Sequence, residues 1–286
     1  VSPTAVLVSC AELPSGDGDD DVLLPALSSL GFSVSWAPWD SSFDFASADA
    51  VILRATWDYA SRRSEFLSWC SSVPSLFNSG DVVRWNTDKS YLVELSDAGV
   101  AVVPTSLVPP GSEPAFPSSE FVVKPSVGAG SRGAARFAGG SDASEHVAAL
   151  HTEGHTALIQ PYQSSVDASG ELALVYVGGI YSHAFTKGAM LGSTMDPSGL
   201  YLTEKLAPAS PPADAVALAE DVLDAASALL GILRAELLYA RVDLVRGVDG
   251  KPLLLELELT EPSLGFRQAD PEAPVRFASA VRQQLA

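Results

Sequence analysis

The chain reads as an α/β protein with α+β lobes: an N-terminal open parallel sheet, then lobes in which helices pack on antiparallel hairpins. Three observations predict this. Short apolar runs alternate with helical stretches over the first 75 or so residues, the βαβ rhythm of a small parallel sheet. Two later hairpins, near 121–137 and 241–259, signal antiparallel pairing. A length of 286 residues, 47% of them hydrophobic, supplies core for two or three small domains. The pattern changes over residues 82–89, which marks the end of the first lobe.

The elements follow in order. Residues 5–9 form the first strand. The acidic loop Gly16-Asp17-Gly18-Asp19-Asp20-Asp21 reads as a solvated entry to a helix that runs to Leu30, with Gly31 as its cap, and a strand follows at 32–36. Ala50-Val51-Ile52-Leu53 is a continuous apolar run suited to a strand covered on both faces, and Arg62–Val73 is helical. Thr87 or Asp88 caps a helix through Leu95 that closes at Gly99. Pro109-Pro110-Gly111-Ser112-Glu113-Pro114 connects to a strand at 121–125, a glycine loop and a second strand at 134–137. A helix near 142–150 leads to a strand at 157–160, and a strand pair covers about 171–177 and 180–186. The weakly periodic stretch from Gly188 to Ser210 reads as a mobile loop, and a helix over 212–229 precedes the final hairpin.

That hairpin carries the chemistry. Asp249-Gly250 between alternating apolar runs predicts a two-residue turn, with 246 opposite 253, 243 opposite 256 and 241 opposite 258. Side chains alternate faces along a strand, so Arg241, Asp243, Glu256 and Glu258 share one face, and Val242, Leu244, Leu255 and Leu257 the other. In this register 243–256 and 241–258 are non-hydrogen-bonded pairs, whose side chains lie closest. Three carboxylates so placed repel one another, and one arginine cannot neutralise them. A bound cation is therefore expected. Carboxylates with substrate phosphates are how proteins hold magnesium, so Asp243, Glu256 and Glu258 are the candidate metal ligands.

Composition narrows the partners. A net charge of −18, from 17 basic and 35 acidic residues, argues against nucleic acid and anionic membranes. ATP stays allowed, because a few local lysines outweigh a global field. No apolar run approaches the roughly 20 residues of a membrane span. The start Val1-Ser2-Pro3 runs straight into a strand, so no signal peptide is expected, only a missing initiator methionine, and the protein is expected to be cytoplasmic. Cys10 and Cys70 have no metal spacing and read as small core residues in a reducing compartment.

Several motifs compete for attention. Gly128-Ala129-Gly130-Ser131-Arg132-Gly133 spells the dinucleotide fingerprint, but a strand rather than a helix follows it. A glycine turn between antiparallel strands drapes backbone N–H groups over phosphates instead. His151-Thr152-Glu153-Gly154-His155 lacks the zincin order and reads as a surface loop. Arg54, Trp57 and Asp58 follow the C-terminal end of a buried strand, where open α/β sheets bind ligands, and are candidate substrate contacts. Ser263 and Glu261, in the turn after the acidic strand, are candidates too.

In order, Lys89, Lys124, the 126–133 loop, Gln160-Pro161-Tyr162, Glu171, Lys187 and the Asp243/Glu256/Glu258 triplet make the chain resemble the ATP-grasp superfamily of carboxylate–amine ligases, which includes glutathione synthetase and D-alanine–D-alanine ligase. The likeness covers roughly residues 85–265 and implies an ATP-grasp fold with a substrate-binding sheet lobe at 1–86, a lid lobe with the glycine loop at 87–162 and a C-terminal lobe with the metal site at 163–286. Arg54-Ala55-Thr56-Trp57-Asp58-Tyr59, Trp85-Asn86-Thr87-Asp88-Lys89 and Ser182-His183-Ala184-Phe185-Thr186-Lys187 look closest to the O-ureido-D-serine cyclo-ligase subgroup.

The resemblance implies ATP as the cofactor, with Lys89 and Lys124 on its phosphates and Ser126, Gly128, Gly130 and Ser131 of the loop closing above. It implies an adenine hinge at Gln160, Pro161 and Tyr162, ribose contact by Glu171, and two Mg²⁺ on the three acids. Arg241 and Lys187 become the catalytic residues, Arg241 steadying the transferring phosphoryl group. One departure stands out: Glu258 occupies a position where better-known relatives have asparagine. The implied activity is ATP-dependent activation of a small carboxylate as an acyl phosphate and its joining to an amine, between molecules or within one. Small-molecule carboxylate and amine substrates, and by analogy a homodimer, complete the expectation. The alternatives are a nucleotide-binding regulatory or assembly protein of the same fold, and an NAD-linked enzyme that reads the glycine motif.

Overall fold

The computed structural model describes residues 2–189, 196–200 and 205–286. The first sheet is parallel, ordered β2-β1-β3-β4 from β1 (Thr4–Ser9), β2 (Ser33–Pro38), β3 (Ala50–Ala55) and β4 (Leu76–Phe77). α1 (Leu23–Ser29) and α2 (Arg63–Ser72) connect its strands. β3 is buried at every residue because both faces are covered: Ala50 and Ile52 enter one core cluster, Val51 and Leu53 another. α3 (Gly80–Asn86) was not foreseen; the Ser79 hydroxyl caps it by accepting the Val82 N–H at 3.5 Å. The helix expected from Lys89 starts later, as α4 (Tyr91–Asp97).

The second sheet is antiparallel, ordered β5-β8-β6-β7 from β5 (Ser106–Val108), β6 (Phe121–Pro125), β7 (Ala135–Phe137) and β8 (Ala157–Pro161), with α5 (Ser144–Thr152) packed on it. After α6 (Ser165–Ser169) comes the third, ordered β11-β10-β9-β12-β13. It comprises β9 (Glu171–Val177), β10 (Ile180–Lys187), β11 (Leu206–Ala209), β12 (Tyr239–Arg246) and β13 (Pro252–Glu258), all antiparallel. The mobile loop expected over 188–210 therefore contains a strand, with Pro208 opposite Phe185; residues 190–195 and 201–204 of that expectation lie outside the described residues.

α7 (Ala213–Leu230) presents Leu218, Val222 and Leu223 at helical spacing to Val242, Leu244 and Leu257. α8 (Ala273–Gln284), absent from the sequence reading, inserts Phe277 and Val281 among Leu23 and Leu27 of α1, Leu7 of β1 and Val175 of β9. The first and third sheets thus share a core. Among the described residues no helix is long and apolar enough to cross a membrane.

The key hairpin departs from its expected register twice, and the departures cancel. The Gly247 N–H reaches the Lys251 carbonyl at 2.9 Å and Arg246 faces Pro252, so the turn holds three residues, not two. A bulge then shifts the register between Asp243 and Leu244, which restores 243 opposite 256 and 241 opposite 258. The irregularity turns Leu255 to the cavity wall beside Val245, not into the interior with Leu244. It also changes the pairing. Leu257 and Leu259 aim their N–H groups outward, at Tyr91 and Asn86, so Glu256 and Glu258 direct theirs at β12 and the two acid-bearing pairs are hydrogen-bonded ones.

Candidate active site

A cavity of about 760 Å³ opens between the second and third sheets and reaches the first. It is of the size that holds a small-molecule ligand. The third sheet floors it. Arg241, Glu256 and Glu258 line the cavity from β12 and β13, with Lys187 and Glu171 at the adjoining ends of β10 and β9. Gly170 allows this corner to close: a Cβ there would stand 2.3 Å from the Lys187 carbonyl oxygen, and its φ of +69° is one that side chains disfavour. The second sheet supplies Lys124, Gln160 and Pro161, with Tyr162 just beyond.

Cations from four places meet the acids. Arg241 forks onto Asp243, Nε to Oδ1 and Nη2 to Oδ2 both at 2.9 Å, and its Nη2 also bonds Glu258. Lys187 Nζ lies 2.6 Å from Asp243 and 2.9 Å from Glu171. Lys89 Nζ is 3.1 Å from Glu256, and Lys124 Nζ 3.9 Å. The repulsion that sequence alone assigned to a metal is thus already balanced by three lysines and an arginine, which local sequence could not bring together.

Asp243, expected as a metal ligand, lies deeper than Glu256 and Glu258. It is fully buried and accepts from Arg241 and Lys187, so it anchors those two cations behind the cavity wall. Among the described residues no group of three His, Cys, Asp or Glu is placed to hold a metal. Glu256 and Glu258 do face the cavity, their side chains 24% and 26% exposed. Two such carboxylates fit a Mg²⁺ that draws its other ligands from phosphate oxygens and water.

Burial sets the protonation. Glu258 is pushed up to about 7 by burial, with Glu256 and Asp243 adding to the shift against Arg241. Glu261 rises to about 8 by burial and the nearby Glu258 charge. Against the cost of burial, Arg241 and Lys187 hold Asp243 below the usual carboxylate range, and Lys89 and Lys124 do the same for Glu256. Burial lowers the Lys124 ammonium, with Lys89 adding to that shift and Glu256 opposing it.

The glycine loop is tied down at its root. The Lys89 N–H donates to the Ser126 carbonyl at 2.8 Å, and Lys89 Nζ donates to the Gly128 carbonyl at 2.7 Å. Gly128, Gly130 and Ser131 line the cavity, whereas Ser126 is 2% exposed and acts through its main chain. Gln160, 3% exposed, donates to the Thr105 hydroxyl at 2.9 Å.

The substrate candidates divide. Trp57 and Ser263 line the cavity; Arg54 and Asp58 do not. Arg54 is 1% exposed and forks onto Asp20 at 2.9 and 3.1 Å while donating to the Pro262 carbonyl at 2.7 Å. It is a tie between lobes. Asp58 accepts the Trp39 indole N–H at 3.0 Å. His183 is likewise a core residue, 2.6 Å from the Leu264 carbonyl. The acidic loop was misread as solvated: Asp20 is buried against Arg54, the Asp19 carboxylate accepts from the Phe266 and Arg267 N–H groups, and Asp17 and Asp19 line the cavity. Tyr59, the last residue of the quoted 54–59 motif, also reaches the wall, as do Lys205, Arg267 and Gln268, which no local motif marked.

Known proteins resemble this chain. Residues 5–78 match the model for the N-terminal domain of D-cycloserine synthetase DcsG. The chain is 39% identical to the cycloserine biosynthesis protein DcsG of Streptomyces lavendulae, over 98% of both chains. The crystal structure of D-cycloserine synthetase DcsG superposes with a TM-score of 0.88 at 36% identity, covering 99% of this chain and 100% of that one. D-alanine–D-alanine ligase from Bacillus anthracis shares the fold alone, with a TM-score of 0.65 at 13% identity over 99% and 97% of the two chains. A RimK domain ATP-grasp protein from Sphaerobacter thermophilus does so at 0.63 and 17%, over 97% and 99%. The chain belongs to the DcsG family of ATP-grasp ligases.

Proposed function

We propose that the cavity binds ATP with Mg²⁺, phosphorylates the carboxylate of a small amino-acid-like substrate, and closes an amide by attack of a nitrogen in the same molecule. The observation that carries this reading is the meeting of Lys89, Lys124, Lys187 and Arg241 with Glu256 and Glu258 around one cavity. Phosphoryl transfer needs positioning and charge neutralisation more than covalent help, and this set is suited to that. The DcsG relative is a D-cycloserine synthetase, which favours O-ureido-D-serine as the substrate and intramolecular ring closure as the outcome.

In this reading Lys89 and Lys124 hold the phosphates under the loop of Gly128, Gly130 and Ser131. Gln160, Pro161 and Tyr162 border the adenine, and Glu171 accepts the ribose hydroxyls while Lys187 orients it. Magnesium, held by Glu256 and Glu258, supplies further neutralisation at the phosphates when bound. Asp243 fixes the Arg241 guanidinium, which steadies the charge developing on the transferred phosphoryl group. Trp57 and Ser263 border the substrate carboxylate. The acyl phosphate then loses phosphate to the attacking nitrogen while the closed loop keeps water out.

Lobes at 1–86, 87–162 and 163–286, action on free small molecules in the cytoplasm, and a homodimer belong to the same reading. The three separate sheets support the lobes, and the net charge of −18 suits a protein without nucleic-acid or membrane partners. ADP release tests the proposal, with product identified by mass. Turnover is expected with O-ureido-D-serine and not with paired D-alanine. Turnover with paired D-alanine instead would overturn ring closure, and no ADP from either would overturn the substrate assignment.

A further inference from the structure

We propose that Arg132 is the latch that holds the glycine loop shut against the first lobe, so that the activated carboxylate meets nitrogen rather than water; this rests on the ligase reading above. Arg132 lies in the loop and lines the cavity, and its Nη2 donates to the main-chain carbonyl of Trp57 at 2.9 Å, 75 residues away. Lys89 secures the other limb of the loop through Ser126 and Gly128. Between these ties, Ala129 is 8% exposed and sits in the core cluster of the first lobe with Val6, Val8 and Leu53. The loop is therefore docked on the lobe that borders the substrate.

The docking point is itself fixed. The Trp57 indole N–H donates to the Glu261 carbonyl at 3.0 Å, in the turn that follows β13 and carries Ser263. Arg54 grips the next carbonyl, of Pro262, at 2.7 Å. Arg132 thus meets its acceptor only when the first lobe and the turn after the acidic strand are in register. Closure of the loop becomes a report on the assembled substrate end. With the loop shut, nitrogen attacks the acyl carbon, loses its proton and expels phosphate. With it open, a water oxygen attacks the same carbon and expels phosphate, returning the free carboxylate. The net reaction is then ATP and water to ADP and phosphate, with no product.

Arg132→Ala and Arg132→Lys separate these outcomes, read by hydrogen exchange over residues 127–133 and by product formed per ADP. Loss of one charge-assisted bond opens the loop about tenfold more often, so exchange in Arg132→Ala rises by about that factor. Product per ADP falls below the wild-type ratio while ADP release continues. Arg132→Lys, whose ammonium still reaches a carbonyl, recovers part of both. Unchanged exchange or an unchanged ratio in Arg132→Ala overturns the latch. A wild-type protein that releases no ADP defeats the ligase reading instead, and exchange alone then decides whether Arg132 holds the loop.

Discussion

Asn86→Ala tests how the acidic strand is held. β13 is an edge strand, yet its outward groups are bonded. Asn86, 8% exposed, donates to the Leu257 carbonyl at 2.8 Å and accepts the Leu259 N–H at 2.7 Å and the Thr260 hydroxyl at 3.2 Å. Removing the amide does not strand the Leu257 carbonyl, because the Tyr91 hydroxyl also donates to it at 2.8 Å. The Leu259 N–H, in a fully buried residue, loses its acceptor. An orphaned buried donor costs about 1–3 kcal/mol, and the second lost bond places the total near 2–3 kcal/mol. For a chain of this size that lowers the melting temperature by roughly 3–5 °C. Urea denaturation and calorimetry measure it. Turnover should fall further than stability alone explains, because Glu256 and Glu258 flank Leu257 and lose their register. A stability loss under about 0.5 kcal/mol, typical of an unimportant surface site, would refute the reasoning.

Three further outcomes are expected. Glu256→Gln leaves the fold intact but abolishes turnover, since it removes a cavity-facing carboxylate that pairs with two lysines; normal activity would sink its assignment. Asp243→Asn unbalances Arg241 and Lys187 in a buried network and costs about 3–5 kcal/mol, measured by denaturation, where a near-neutral result would show that the network is not needed. Stability of the metal-free protein should also fall as pH rises. Asp20 and Glu258 are raised to about 7 and Glu261 to about 8, so each binds its proton more tightly folded than unfolded. Their contribution is complete below about pH 4 and is lost as pH rises through 7 to 8. Asp243 and Glu256, held low, lose theirs only as pH falls through their folded values. The urea midpoint is accordingly lower at pH 8 than at pH 5.5, and a higher midpoint at pH 8 contradicts the burial of these acids.

Much of the fold was legible because local pattern decided it. The continuous apolar run at 50–53 could only be a covered strand, and the alternation at 241–259 placed the acids on one face. The facing of 243 with 256 came out correctly for a partly wrong reason, since a longer turn and a bulge offset each other. α8 went unread because its apolar residues make sense only against α1 and β9, which are distant in sequence. Arg54 was misplaced because the rule that ligands gather at strand ends knows nothing of Asp20, 34 residues earlier, which captures the guanidinium. The same limit hid Asp17 and Asp19, whose charge reads as solvated until Arg54 and the 266–267 main chain are brought beside their loop.

The way β13 is finished has a consequence for cutting the chain. Open sheet margins invite pairing with other polypeptides, and this one is masked from residues 78–103: the Asn78, Asn86 and Tyr91 side chains reach it, and the Ala101 and Val103 main chain bonds Leu254. A truncated piece beginning near residue 163 would bare that margin while keeping its apolar neighbours. Such a fragment should self-associate into aggregates, and production of the third sheet alone should require residues 78–103 to travel with it.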